Sequence, residues 1–135
     1  MILVIDANVL VRMVVGERAH RDARRAIGRG VEFITTVRQL DEVAGVLTGV
    51  FKLRPDEVID EVLGVVDLMA VTDAEGYSGF QAEAERRLGW KAKDDWHVLA
   101  TALAFDAGVW SDDRDFFGTG VPVWSSFNIE RARAA

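Results

Sequence analysis

Strand-like apolar runs alternating with amphipathic helical segments predict an α/β fold: three layers, α/β/α, around a central, mainly parallel five-stranded sheet. Three observations carry this. Met1 to Ile5 is a short run of large apolar residues without polar alternation, the pattern of a strand buried on both faces. Each later strand-like run is separated from the next by helical periodicity or by a turn-rich loop. Asp6 and Asp113 then fall just past strand ends, where open parallel sheets hold their ligands.

Taken in order, Met1 to Ile5 is the first strand, and Asn8 is placed to cap a helix through Val9, Leu10, Met13 and Val14 to Gly16. A second helix spans about Arg18 to Ile27 and closes at Gly28 and Gly30. Val31 to Ile34 is strand-like, and either Thr35 or Thr36 caps a helix carrying Val37, Leu40, Val43, Ala44 and Leu47 at helical spacing. Pro55-Asp56 starts another, with Val58, Ile59, Val62, Leu63 and Val66 as its expected buried side. Leu68 to Val71 is the third strand, Gly76 to Gly79 a turn, and Phe80 to Leu88 helical. Asp94 is expected to cap an apolar helix that runs to Ala107 and stops at Gly108. Val109 to Ser111 and Val121 to Trp124 complete the sheet, and Phe127 to Ala134 is a terminal helix.

At 135 residues the chain is expected to form one domain over 1–135, burying roughly two-thirds of its unfolded surface. There is no repeat or linker. Half of the residues are hydrophobic, enough for a packed core. The absence of cysteine excludes disulfides, thiolate zinc sites and cysteine nucleophiles. No apolar run nears the roughly 18 residues of a membrane span, and no leader precedes the first strand, so a soluble, cytoplasmic protein is expected. The net charge of −6 argues against binding nucleic acid through a generally basic surface. Metal ions in an acidic crevice would invert that field locally. Two basic groups, Arg18 to Arg29 and Arg86 to Lys93, have the character of solvated helix faces.

The chemistry rests with acids far apart in sequence. Asp6 after a buried strand is unfavourable unless donors or a cation compensate it; otherwise it caps the next helix. Asn8 is a helix cap or a group that orients Asp6. Glu42 lies beside an apolar stripe, where a glutamate is ordinarily solvated, and Asp41 is its neighbouring competitor. Asp95 opens the apolar helix Trp96 to Leu103, whose cap Asp94 can already supply. Asp112, Asp113 and Asp115 crowd one loop and repel one another unless water or metal intervenes, although solvated turns share this composition. Acids converging on one crevice build a divalent-metal site. His20 and His97 lack metal-ligand spacing and are read as structural, and the four tryptophans as core or interface residues.

Three segments together resemble the PIN domain, and more narrowly the VapC-type toxin ribonucleases. They are Val4-Ile5-Asp6-Ala7-Asn8-Val9-Leu10-Val11-Arg12, Asp94-Asp95-Trp96 followed by Leu99-Ala100-Thr101-Ala102-Leu103, and Val109-Trp110-Ser111-Asp112-Asp113-Arg114-Asp115-Phe116. The resemblance spans essentially the whole chain. It implies an acidic quartet at Asp6, Glu42, Asp95 and Asp113, with Asp115 as a fifth acid and Asn8 and Ser111 in support. It places the metal on Asp6, Asp95 and Asp113. Such a set suits one or two Mg2+ or Mn2+ ions, which favour oxygen ligands. The implied activity is hydrolysis of RNA to 5′-phosphate and 3′-hydroxyl ends. The implied partners are a small antitoxin protein and a second copy of the chain, for which Val46, Val50, Phe51, Leu53 and Val58 offer an apolar surface. Arg12 becomes a candidate phosphate contact. Tryptophan and histidine after Asp95 depart from the small or aliphatic residues of many relatives.

Other readings stay open at this stage. A receiver domain also has an acidic crevice, but no lysine follows Val121 to Trp124. A haloacid-type phosphatase wants an aspartate where Asn8 stands. A PIN-fold RNA-processing nuclease without an antitoxin, or a binding module without catalysis, keeps the fold and changes its use.

Overall fold

The computed structural model describes residues 1–135, the side chain of Ala92 excepted. Five strands form one sheet: β1 (Ile2–Ile5), β2 (Glu32–Thr36), β3 (Ala70–Thr72), β4 (Gly108–Trp110) and β5 (Val123–Trp124). The order is β3-β2-β1-β4-β5, and every pairing is parallel. The expected mainly parallel sheet is thus parallel throughout. Its order also separates it from a receiver, whose doubly wound sheet runs 2-1-3-4-5.

The helices are α1 (Ala7–Val15), α2 (Glu17–Gly28), α3 (Val37–Gly49), α4 (Pro55–Val66), α5 (Gln81–Leu88) and α6 (Ala92–Ala104). Alternation along β1 divides the core. Leu3 and Ile5 pack with Phe33, Trp110 and residues of α1 to α4, whereas Val4 packs with Ile34, Val109 and residues of α5 and α6. Both faces of the sheet are therefore covered, which explains the unbroken apolar runs of β1 and β4.

Several boundaries differ from expectation. Asp6, not Asn8, caps α1: its carboxylate accepts from the Ala7 N–H, and the helix begins two residues early. Of the two threonines, Thr36 caps α3 through the Gln39 N–H. Helix α6 starts at Ala92 with Lys91 at its cap position, so Asp94 and Asp95 occupy its first turn, near the positive end of the helix dipole. It ends at Ala104, and the chain turns at Asp106 (φ 50°) rather than at Gly108. Gly108 lies inside β4, where an added Cβ would stand 2.8 Å from the Pro122 carbonyl oxygen. On α4, Val58 and Val65 are buried, while Ile59 and Leu63 face solvent. Phe127 to Ala134 holds a single 3-10 turn, Ile129–Arg131, instead of a helix. No helix among the described residues is long and apolar enough to cross a membrane.

Candidate active site

The strand order reverses between β1 and β4, both drawn from the middle of the sheet, and the crevice beyond their carboxyl ends is the usual ligand site of such folds. Asp6 follows β1 and Ser111 follows β4. They are held in register by the Asp6 N–H donating to the Trp110 carbonyl at 3.0 Å.

Asp6 is buried and its two oxygens are fully engaged. Oδ1 accepts from the Ala7 N–H at 2.8 Å and from Gln39 Nε2 at 2.7 Å. Oδ2 accepts from Ser111 Oγ at 2.7 Å and from Asn8 Nδ2 at 3.3 Å. Four donors make a buried carboxylate tolerable, since they replace the water it gives up. Both alternatives raised for Asp6 hold at once, whereas Asn8 orients Asp6 and is not the cap. Asp6 caps α1 with one oxygen, while Asn8 donates to the other. Ser111 continues the chain of contacts, because its Oγ also accepts the Asp113 N–H at 3.0 Å. Asp113 in turn accepts the Asp115 N–H at 2.9 Å, which starts the 3-10 turn Arg114–Phe116.

Asp95, Asp113 and Asp115 each offer a carboxylate oxygen, and these atoms all lie within 4.8 Å of one another. The loop after β4 supplies two of them and the first turn of α6 the third. Asp95 is pushed up from its ordinary 3.8 to about 7, first by burial, then by the neighbouring charges of Asp113, Asp6, Asp115 and Asp94. Glu42 is also raised, by burial and by Asp6, with Arg38 opposing. Crowded hard oxygen donors suit a divalent cation such as Mg2+ or Mn2+, whose charge offsets the crowding of like charges. The tight group includes Asp115, and Asp6 stands beside it in its own hydrogen-bonded cradle.

Arg12 does reach the crevice rim, but its guanidinium donates to Asp112 and to Ser126 Oγ, the latter at 3.1 Å. It ties α1 to the loops after β4 and β5. The sequence reading passed over Gln39 and took His97 as merely structural. Gln39 is fully buried and sits one helical turn before Glu42, on the same face of α3. Its Nε2 is committed to Asp6, so its Oε1 accepts from His97 Nε2 at 2.5 Å. That hydrogen bond places the imidazole proton on Nε2 and leaves Nδ1 buried without a partner. Burial, helped by Arg38, pushes His97 down to about 4 and keeps the ring neutral near pH 7. Arg38 itself stacks over Trp96, 5.7 Å from the ring centroid. The signal for Gln39 was its i, i+3 relation to Glu42, which becomes informative once α3 is known to dock against β1.

A wholly parallel α/β sheet with carboxylates gathered beyond its switch point defines a protein whose crevice collects oxygen donors of the kind a divalent cation takes. The chain belongs to the PIN domain family, whose model matches residues 4–134. Among solved structures it is similar to a chain of VapBC2 from Rickettsia felis, determined bound to a DNA fragment from their promoter. The TM-score is 0.69 at 13% identity, covering 93% of this chain and 98% of that one, a likeness of fold. Comparison with curated proteins gives no match.

Proposed function

We propose that the protein is a Mg2+- or Mn2+-dependent endoribonuclease, residues 1–135 acting as one domain, and the toxin of a type II toxin–antitoxin pair. The observation that carries the reading is the convergence of the Asp95, Asp113 and Asp115 carboxylates within 4.8 Å in a PIN-domain chain. Asp95, Asp113 and Asp115 would hold the cation, with Asp6 and Glu42 completing the acidic set. When bound, the cation supplies Lewis acidity toward the phosphodiester and neutralises the carboxylates.

The chain's own groups do the positioning. Asp6 is fixed by its four donors, and Ser111 sets the spacing between Asp6 and the Asp113 backbone. Gln39 and the neutral His97 hold this arrangement from below without adding charge. Water adds to phosphorus, the bond from phosphorus to the 3′ oxygen breaks, and that oxygen takes up the proton, leaving 5′-phosphate and 3′-hydroxyl ends. Glu42, outside the trio that would hold the cation and raised by burial and by Asp6, is available as a general base.

The toxin assignment is supported by the fold likeness to a chain of VapBC2. A small antitoxin and a second copy of the chain are the proposed protein partners. Of the apolar residues that the sequence offered for such contacts, Val50 and Phe51 remain exposed, as do Ile59 and Leu63 of α4, while Val58 is taken up by the core. A cytoplasmic location goes with this role.

The test is cleavage of labelled RNA by the purified chain with Mg2+ or Mn2+ against EDTA, beside Asp95→Asn. Metal-dependent cutting that the substitution abolishes is the expected result. Equal inactivity of both proteins on every RNA, with unchanged metal binding, would leave a binding module as the better account.

A further inference from the structure

Trp110 is fully buried, and Trp96 and Trp124 are partly so, but Trp90 is 88% exposed. Its presentation is built into the backbone. Gly89 ends α5 at φ 64°, a conformation that favours glycine, and the 3-10 turn Gly89–Lys91 leads directly into α6. The indole therefore sits on a short turn between two helices packed against each other, five residues before Asp95. That is within about 10 Å of it along the chain axis.

The loop that supplies two of the acids carries a matching feature. Phe116 is fully buried and anchors the turn that bears Asp113 and Asp115, and Phe117, the next residue, is 56% exposed. Basic groups flank both aromatics: Lys91 and Lys93 beside Trp90, and Arg114 near Phe117. None of the three forms an ion pair among the described residues. Aromatic faces interleaved with free cations are what a single nucleic-acid strand requires, bases on the rings and phosphates on the charges. A duplex cannot use them, because its bases already stack on one another.

We propose that Trp90 and Phe117, carried on the turns next to Asp95 and next to Asp113 and Asp115, are stacking platforms for unpaired nucleobases, with Lys91, Lys93 and Arg114 contacting the adjoining phosphates. The proposal rests on RNA being the substrate of that site and narrows it to single-stranded segments. It departs, for Trp90, from the expectation that the tryptophans serve core or interface rather than base stacking.

The experiment reads binding apart from cleavage, in an Asp95→Asn chain with EDTA. The probes are labelled oligouridylate, an abasic oligoribonucleotide of the same length and a blunt RNA duplex. Trp90→Ala should weaken oligouridylate binding about tenfold and Phe117→Ala by less, while abasic and duplex binding stay as they were. Trp90→Phe should recover most of the loss. Quenching of tryptophan fluorescence by oligouridylate should disappear in the same variant. Melting temperatures should not move, since Trp90 is outside the core. Unchanged oligouridylate affinity, or an equal loss with the abasic probe, overturns the proposal. So does a Trp90→Ala chain that changes only its self-association. Wild-type cleavage with Mg2+ is scored separately. A chain that stacks bases on Trp90 yet never cuts RNA defeats the nuclease reading and leaves this one standing.

Discussion

Gln39 donates its side-chain amide to Asp6 at 2.7 Å, and both groups are buried. The amide is consumed on both sides, since its oxygen accepts from His97. One neutral side chain of α3 thus orients the carboxylate that follows β1 and an imidazole from α6, groups that are remote in sequence.

Replacing Gln39 by leucine removes both hydrogen bonds and strands two buried partners. The loss should be about 1–3 kcal/mol, the usual penalty for leaving buried polar groups unpaired. Urea unfolding with an unchanged slope and a lowered midpoint is the expected record. A midpoint equal to wild type would mean that water replaces the amide.

Asp95→Asn should separate stability from activity. The substitution removes a charge that Asp113, Asp6, Asp115 and Asp94 all repel. In EDTA the variant should melt above wild type, while cation binding, read by calorimetry, and RNA cleavage are lost. A variant that melts lower in EDTA would contradict the repulsion.

The pH dependence follows from the same residue. Its folded-state pKa of about 7 lies above the ordinary 3.8, so the folded chain holds this proton more tightly than the unfolded one. The associated stability is present below about pH 4 and is lost as pH rises through 7. His97, pushed down to about 4, works the other way and loses its contribution as pH falls from 6.5. The difference between wild type and Asp95→Asn isolates the carboxyl group. Wild-type melting temperature in EDTA should fall relative to the variant between pH 4 and 7, by a modest amount because Asp95 is partly solvated. Mg2+ should cancel the fall in wild type alone.

Gly108→Ala should destabilise the chain by about 1–3 kcal/mol, as overpacking commonly does. Its Cβ would meet the Pro122 carbonyl oxygen at 2.8 Å and Leu3 Cδ2 at 3.0 Å, between neighbouring strands. Thermal melts check it. A neutral effect would show that the β4–β5 edge can move apart freely.

Much of this molecule is legible from its residues alone. The apolar run of β1 predicts a strand covered on both faces, and Leu3 and Val4 do pack on opposite sides of the sheet. Asp6 and the Asp113 loop are recognisable as acids at strand ends, although a helix cap or a solvated turn has the same local sequence. Boundaries were less legible. Asn8 and Asp94 have the chemistry of caps, yet Asp6 and Lys91 hold the cap positions, two and three residues earlier, because tertiary docking shifts the first helical turn. Ile59 and Leu63 were expected on the buried side of α4 with Val58, yet the face that packs inward carries Val58 and Val65 and leaves them outside.

The sequence by itself determined a parallel α/β chain with acids at its strand ends, since periodicity and local chemistry are properties of neighbouring residues. The tertiary structure decided which strands stand side by side. By placing β4 next to β1 it joined Ser111 to Asp6 across 105 positions, and by docking α3 and α6 on opposite flanks it buried Gln39 against His97. It also turned Asp115 toward Asp95 and left Trp90 in solvent. Those relationships depend on the packing of whole elements, where the free energy of a contact belongs to both partners and to neither segment alone.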